Sequence, residues 1–187
     1  EYMEEEARKK PGKMLSIIGL DSSEVRKICQ EVGAEIANLN CPGQTVISGK
    51  GDALMKAEPL AKERGAKMAV MLEVSGAFHS SFMKGAADRL AAELQKVSFS
   101  EPRFPVVSNV TARPFANAAE IKEKLIEQVY TSVYWEESMR YILGKGVTQF
   151  LEFGPGKVLK GLMRRIDANA TVINAEKKED IEKLAAG

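Results

Sequence analysis

Histidine occurs only once in this chain of 187 residues, as His79, and cysteine only twice, as Cys29 and Cys41. One imidazole and two thiols eleven residues apart do not make a ligand set, so no metal site is expected. Two cysteines are also too few for the disulfide framework of a small secreted protein, which points to a reducing compartment, the cytoplasm. An excess of either charge is lacking as well: 27 Lys and Arg stand against 26 acidic residues, for a net charge of +1. Such a balance supplies no field to hold nucleic acid or an anionic membrane. No apolar run approaches the roughly 18 to 20 residues needed to cross a bilayer. The opening Glu1-Tyr2-Met3-Glu4-Glu5-Glu6 is unlike a signal peptide. It reads instead as the inside of a helix, closed by Arg8-Lys9-Lys10 before Pro11-Gly12, as at a cut end. Also missing is any Gly-x-Ser-x-Gly nucleophile elbow, and neither cysteine has flanking residues that suggest an activated thiol.

What is present is a chain that is 44% hydrophobic, enough for a sizeable core in one large domain or two small ones. From Lys13 to Leu72 the apolar period switches in a regular order. Met14 to Ile18 reads as a strand. Asp21 caps a helix carrying Val25, Ile28 and Cys29 on one face, with Glu24 placed for a capping box and Gly33 for its stop. Ala34 to Asn40 and Gln44 to Ser48 read as strands joined through Cys41-Pro42-Gly43. A helix over 52–64 contains Pro59, which weakens it, and 67–72 is a fourth strand. Strand, helix, strand, strand, helix, strand is the ferredoxin-like pattern.

Beyond residue 73 the character changes. Phe82, Ala86, Ala87, Leu90, Leu94 and Val97 fall at helical spacing on one long helix beginning beside His79. Residues 104–110 read as extended, 119–130 and 135–143 as helices, 147–153 as a buried strand, 170–174 as a last strand and 177–186 as a short helix. Strands alternating with helices imply part of a parallel α/β sheet whose other strands are missing.

Three groups are candidates for chemistry. His79 is either a structural histidine or a general base, since imidazole titrates nearest neutrality. Gly76 and Ala77 let the backbone turn closely, and Ser80-Ser81 can cap the long helix, which would place the ring at a helix N-terminus where its charged form is disfavoured. Gly154-Pro155-Gly156 with Lys157 is either an anion cradle or a tight connection that needs glycine. Asn38, Asn40 and Gln44 cluster around a turn and suit turn hydrogen bonds.

Four segments in register carry a resemblance: Asn38-Leu39-Asn40-Cys41-Pro42-Gly43-Gln44, Gly76-Ala77-Phe78-His79-Ser80, Val107-Ser108-Asn109-Val110-Thr111 and Phe153-Gly154-Pro155-Gly156-Lys157-Val158-Leu159. With them the chain resembles malonyl-CoA:acyl carrier protein transacylases over nearly its whole length. The resemblance implies a ping-pong transfer in which a serine takes malonyl from coenzyme A and the phosphopantetheine thiol of acyl carrier protein removes it, with no cofactor. His79 matches the catalytic histidine, and Gln128 the residue whose backbone carbonyl orients it. Phe78 matches the position that favours malonyl over methylmalonyl, and Asn40 falls at a substrate-binding position.

The fold implied is α/β: a ferredoxin-like small subdomain over 13–72 and the C-terminal part of an α/β-hydrolase-like large subdomain over 73–187, with residues 1–12 a helix of the latter. The family's N-terminal half, with the serine elbow, part of the oxyanion hole and the arginine for the malonyl carboxylate, has no counterpart here; Arg103 and Arg113 do not match that arginine. The isolated chain is therefore expected to be inactive and to want that half as a partner, with neither nucleic acid nor membrane involved. A non-catalytic ferredoxin-like binding module and an acyl-CoA hydrolase are the alternatives.

Overall fold

The computed structural model describes residues 1–186, which divide into two compact units, the second beginning at Met139. The first opens with helix α1 (Tyr2–Lys9), followed by β1 (Lys13–Ile18), α2 (Ser22–Val32), β2 (Glu35–Cys41), β3 (Gln44–Gly49), α3 (Gly51–Glu63) and β4 (Met68–Met71). The strands form one sheet in the order β2-β3-β1-β4, every neighbouring pair antiparallel.

Local chemistry accounts for these boundaries. The Asp21 carboxylate accepts the Ser23 amide to start α2, and Gly33 ends it in the left-handed region at φ 72°. Glu24 pairs with Lys27 at 2.6 Å. Pro42-Gly43 turns β2 into β3, with Gly43 at φ 69°. Pro59 lies inside α3, where it has no N–H to give the Met55 carbonyl; Met55 is on the exposed side, and the helix runs through.

Strand alternation sorts the sheet into two faces. Leu15, Ile17 and Ile47 point to α2 and α3, where they join Val25, Ile28 and Leu54, all fully buried. Each contributes about 1.5–3 kcal/mol through burial. The opposite face carries Met14, Ala37 and Val46, and against these pack Leu72 and Phe78. The segment around His79 thus lies on the face that the two helices leave open.

After β4 the chain makes a short 3₁₀ turn (Ser81–Met83) and helix α4 (Lys84–Leu94). The helix expected to begin beside His79 starts there as the 3₁₀ turn at Ser81 and continues as α4 from Lys84, ending before Val97. Neither serine side chain caps it: the hydroxyl of Ser80 donates to the nearby Ala77 carbonyl at 2.6 Å, and Ser81 gives its amide and hydroxyl to the remote Glu35. Helix α4 packs on α1, where the Arg89 guanidinium pairs with Glu5 and lies 4.1 Å from the centre of the Tyr2 ring. Residues 104–110 form no strand; a single bridge between Val107 and Pro114 closes a loop there. Helix α5 (Ala118–Gln128) follows, capped by the Asn117 carboxamide on the Glu120 amide.

Helix α6 (Trp135–Leu143) leads into the second unit, which contains β5 (Gln149–Phe153), α7 (Val158–Ile166), β6 (Thr171–Ala175) and α8 (Lys178–Ala186). β5 and β6 pair in parallel. The burial expected for β5 is inverted: Leu151 is 51% and Phe153 63% exposed, whereas Glu152 is buried. Two parallel strands with α7 between them in sequence do not bury both faces. Among the described residues, no helix is long and apolar enough to cross a membrane, and no cluster of three or more His, Cys, Asp or Glu could hold a metal ion.

Candidate active site

His79 sits in a backbone pinned residue by residue. A Cβ on Gly76 would lie 2.5 Å from that of Ala7 in α1, and one on Gly12 would lie 2.6 Å from that of Ala77, so both glycines are required by close approach. The fully buried Ser48 donates its hydroxyl to the Phe78 carbonyl at 2.6 Å. Glu35 holds Ser81 from the other side. Between these anchors His79 takes φ 54°, the left-handed region that a β-carbon disfavours by about 1–2 kcal/mol. An outlier held by so many contacts suits a side chain that must be aimed.

The aim is at the end of α5. His79 Nδ1 lies 3.0 Å from the Gln128 carbonyl oxygen. A carbonyl only accepts, so Nδ1 carries the proton, and in the neutral ring Nε2 keeps its lone pair. That carbonyl is available because the last turn of a helix leaves its C=O groups without partners inside the helix. Those of Ile126 and Glu127 are taken by the amides of Val129 and Tyr130, and that of Gln128 by His79. Nδ1 therefore faces the C-terminus of α5, with its partial negative charge, a contact that the expected placement before a helix N-terminus did not include.

Two clefts meet at the imidazole. One, of about 540 Å³, is lined by His79 with Arg26, Glu35, Glu127, Tyr130 and Tyr134. The other, of about 460 Å³, is lined by His79, Phe78, Asn38 and Met14 with residues of α1. The carboxylates of the first are already engaged, Glu35 by Ser81 and Glu127 by Lys124 at 2.7 Å. Cys29 also borders it, but burial pushes its thiol up to about 12, against which nearby Arg26 acts only partly, so it is no nucleophile at neutral pH.

His79, Phe78 and Gln128 are thus brought together. Asn40 is not among the residues of either cleft: the register steps from Leu39 opposite Thr45 to Cys41 opposite Gln44, leaving Asn40 as the extra residue of a bulge in β2. Its neighbour Asn38 does reach the cleft beside Phe78. Sequence reasoning overlooked Ser48, although a serine after Val46-Ile47 in a buried strand signals a hydrogen bond to be found. It also gave Asn109 no role, yet that carboxamide donates to Gln128 Oε1 at 3.2 Å.

Gly154-Pro155-Gly156 is a connection and not an open cradle. The Glu152 carboxylate accepts the amides of Leu159 and Lys160 at 2.8 and 2.9 Å, filling the α7 N-terminus from within the chain.

No protein-family model matches the chain. Among curated proteins it is 44% identical to the malonyl CoA-acyl carrier protein transacylase of Bacillus subtilis over 187 residues, 97% of this chain and 59% of that relative. To the protein of the same name from Escherichia coli K12 it is 41% identical over 169 residues, 88% of this chain and 55% of the relative. Among solved structures it is similar to the malonyl CoA-acyl carrier protein transacylase of Coxiella burnetii, with a TM-score of 0.91 at 38% identity, covering 98% of this chain and 59% of that one. It is also similar to a malonyl-transacylase solved in complex with its type II PKS acyl-carrier protein, with a TM-score of 0.92 at 38% identity, covering 100% and 62%. The chain spans a little over half the length of the curated relatives it matches.

Proposed function

Because this chain is homologous, over nearly its whole length, to part of the malonyl CoA-acyl carrier protein transacylases, we propose that His79 is the general base of a malonyl transfer. The observation that carries the reading is the Nδ1 contact to Gln128, which leaves Nε2 as the only basic nitrogen of the ring. In the first half-reaction Nε2 takes the proton of a serine hydroxyl as its oxygen attacks the malonyl thioester, then returns it to the departing coenzyme A thiolate. In the second, Nε2 takes the proton of the carrier protein's phosphopantetheine thiol, and the serine leaves with that proton as the malonyl thioester forms. Gln128 holds the ring through its backbone, as a third triad member does. Phe78 lines the acyl pocket, where the phenyl group favours malonyl over an α-methyl analogue, and Asn40, outside both clefts, is assigned to substrate by the family match alone. No cofactor is called for.

The nucleophile is not in this sequence on the same reading. Serine and threonine hydroxyls in this part of the fold donate elsewhere: Ser48 to the Phe78 carbonyl, Ser80 to that of Ala77, Ser81 to Glu35, Ser132 to the Ile36 carbonyl and Thr131 to that of Glu127. The antiparallel order β2-β3-β1-β4 supports a ferredoxin-like subdomain over 13–72, and the parallel pair β5-β6 supports part of an α/β-hydrolase-like subdomain over 73–187. The serine would come from the rest of such an enzyme, working in the cytoplasm. Incubation of the chain with labelled malonyl-CoA, read by intact mass, is expected to give no acyl adduct. A stable malonyl ester on this chain overturns the reading.

A further inference from the structure

We propose that Asn109 is a positioning residue for the base: it fixes the peptide that carries the Gln128 carbonyl and thereby selects the tautomer of His79. The inference rests on the reading of His79 as the base and adds a residue to it.

Asn109 touches both ends of the segment from Gln128, the last residue of α5, to Tyr134, just before α6. Its carboxamide donates to Gln128 Oε1 at 3.2 Å, and its backbone carbonyl accepts the Tyr134 amide at 2.8 Å. The far end of the segment is laced to the edge of β2, where Ser132 donates its hydroxyl to the Ile36 carbonyl at 2.6 Å and Val133 exchanges backbone bonds with Ala37 and Leu39 at 2.8 and 2.9 Å. The near end, at Gln128, has no such lacing to the sheet among the described residues. There the Asn109 contact ties the residue to a rigid loop.

That loop is built to hold its shape. Ser108 is buried; its amide donates to the Arg113 carbonyl and its carbonyl accepts the Ala112 amide, both at 2.9 Å, while its hydroxyl accepts the Val110 amide at 3.1 Å. Ala112, fully buried, is held at φ 52°, one of only two non-glycine residues in the left-handed region among those described. The other is His79. Two strained residues thus stand at the two ends of one chain of contacts, from the 108–113 loop through Asn109 and Gln128 to the imidazole, as strain held at functional positions would be.

The single histidine makes a direct test possible, because the ¹⁵N-labelled chain of 187 residues has one imidazole to observe. At about pH 8, above the ordinary imidazole range, long-range ¹H–¹⁵N correlation reads which ring nitrogen carries the proton. The wild-type chain is expected to show Nδ1 protonated and Nε2 bare. Asn109→Ala and Gln128→Met should each lower the ratio of the two tautomers about fivefold, what one ordinary hydrogen bond is worth in an equilibrium, and the double variant should fall no further. Asn109→Asp should restore the ratio, because the Gln128 carboxamide can turn and donate to a carboxylate. If Asn109→Ala does not fold, Gln128→Met reads the same contact with the backbone carbonyl intact. A wild-type ratio in the folded variants overturns the role of Asn109 alone; a wild-type ring protonated at Nε2 overturns the reading of His79 on which it rests.

Discussion

Ser48 and Phe78 are joined across thirty residues of sequence by a 2.6 Å hydrogen bond from a fully buried hydroxyl to a backbone carbonyl. Removing the donor leaves the Phe78 carbonyl without its partner, and such losses cost about 1–2 kcal/mol. Urea unfolding of Ser48→Ala is expected to show that loss with an unchanged slope in denaturant. A variant as stable as wild type would mean that water takes over the carbonyl and that the bond does not anchor the segment.

Gly76 and Ala7 test the packing beneath the histidine. With a new Cβ only 2.5 Å from that of Ala7, Gly76→Ala must push α1 away or twist the segment leading to His79. Overpacking of this kind costs about 1–3 kcal/mol. Ala7→Gly alone costs about 1 kcal/mol as a helix-interior glycine, yet it should rescue Gly76→Ala, so that the two changes together are milder than their sum. Strict additivity in a denaturation cycle would remove the close contact as the cause.

Cys29 gives a pH prediction with a definite sign. Burial raises its thiol from 9.0 to about 12, so the folded chain keeps a proton that the unfolded chain releases in that interval. Its contribution is full below pH 9.0 and is lost as pH rises toward about 12, with a slope approaching about 1.4 kcal/mol per pH unit. Cys29→Ala should decline less steeply than wild type over the same range. Equal slopes for the two would sink the account, as would rapid alkylation of Cys29 in the native chain near neutral pH.

The order of elements over 13–72 was legible because its signals are local: Asp21 at a helix start, Gly33 at its end and Pro42-Gly43 at a turn each act on neighbours within a few residues. The approach to His79 was not, because Ser80 and Ser81 have the composition of caps but spend their hydroxyls on Ala77 and Glu35, the latter remote in sequence. The contact with Gln128 was reached only through family resemblance. Every residue owns a carbonyl, so no side-chain pattern marks the one that a histidine will use. The exposure of Leu151 and Phe153 was hidden for a different reason, since apolar strand composition does not say whether a covering layer is present.

The manner in which Gln128 meets His79 leads to unequal effects of removing the two side chains. In a full-length enzyme containing this segment, His79→Ala removes the proposed base and is expected to lower the transfer rate by about 10²- to 10⁴-fold, the usual worth of a positioned general base. Gln128→Ala keeps the carbonyl that accepts Nδ1–H at 3.0 Å and loses only the side chain held by Asn109 at 3.2 Å. Its cost should stay within about tenfold, one hydrogen bond's share of the ring's alignment. Because alignment of the base matters only once chemistry begins, that loss should fall on kcat, with KM for malonyl-CoA near wild type. Steady-state assays of both variants decide the matter. If Gln128→Ala is as damaging as His79→Ala, the side chain acts directly on the substrate and the backbone carbonyl is not the group that counts; if both are mild, His79 is not the base.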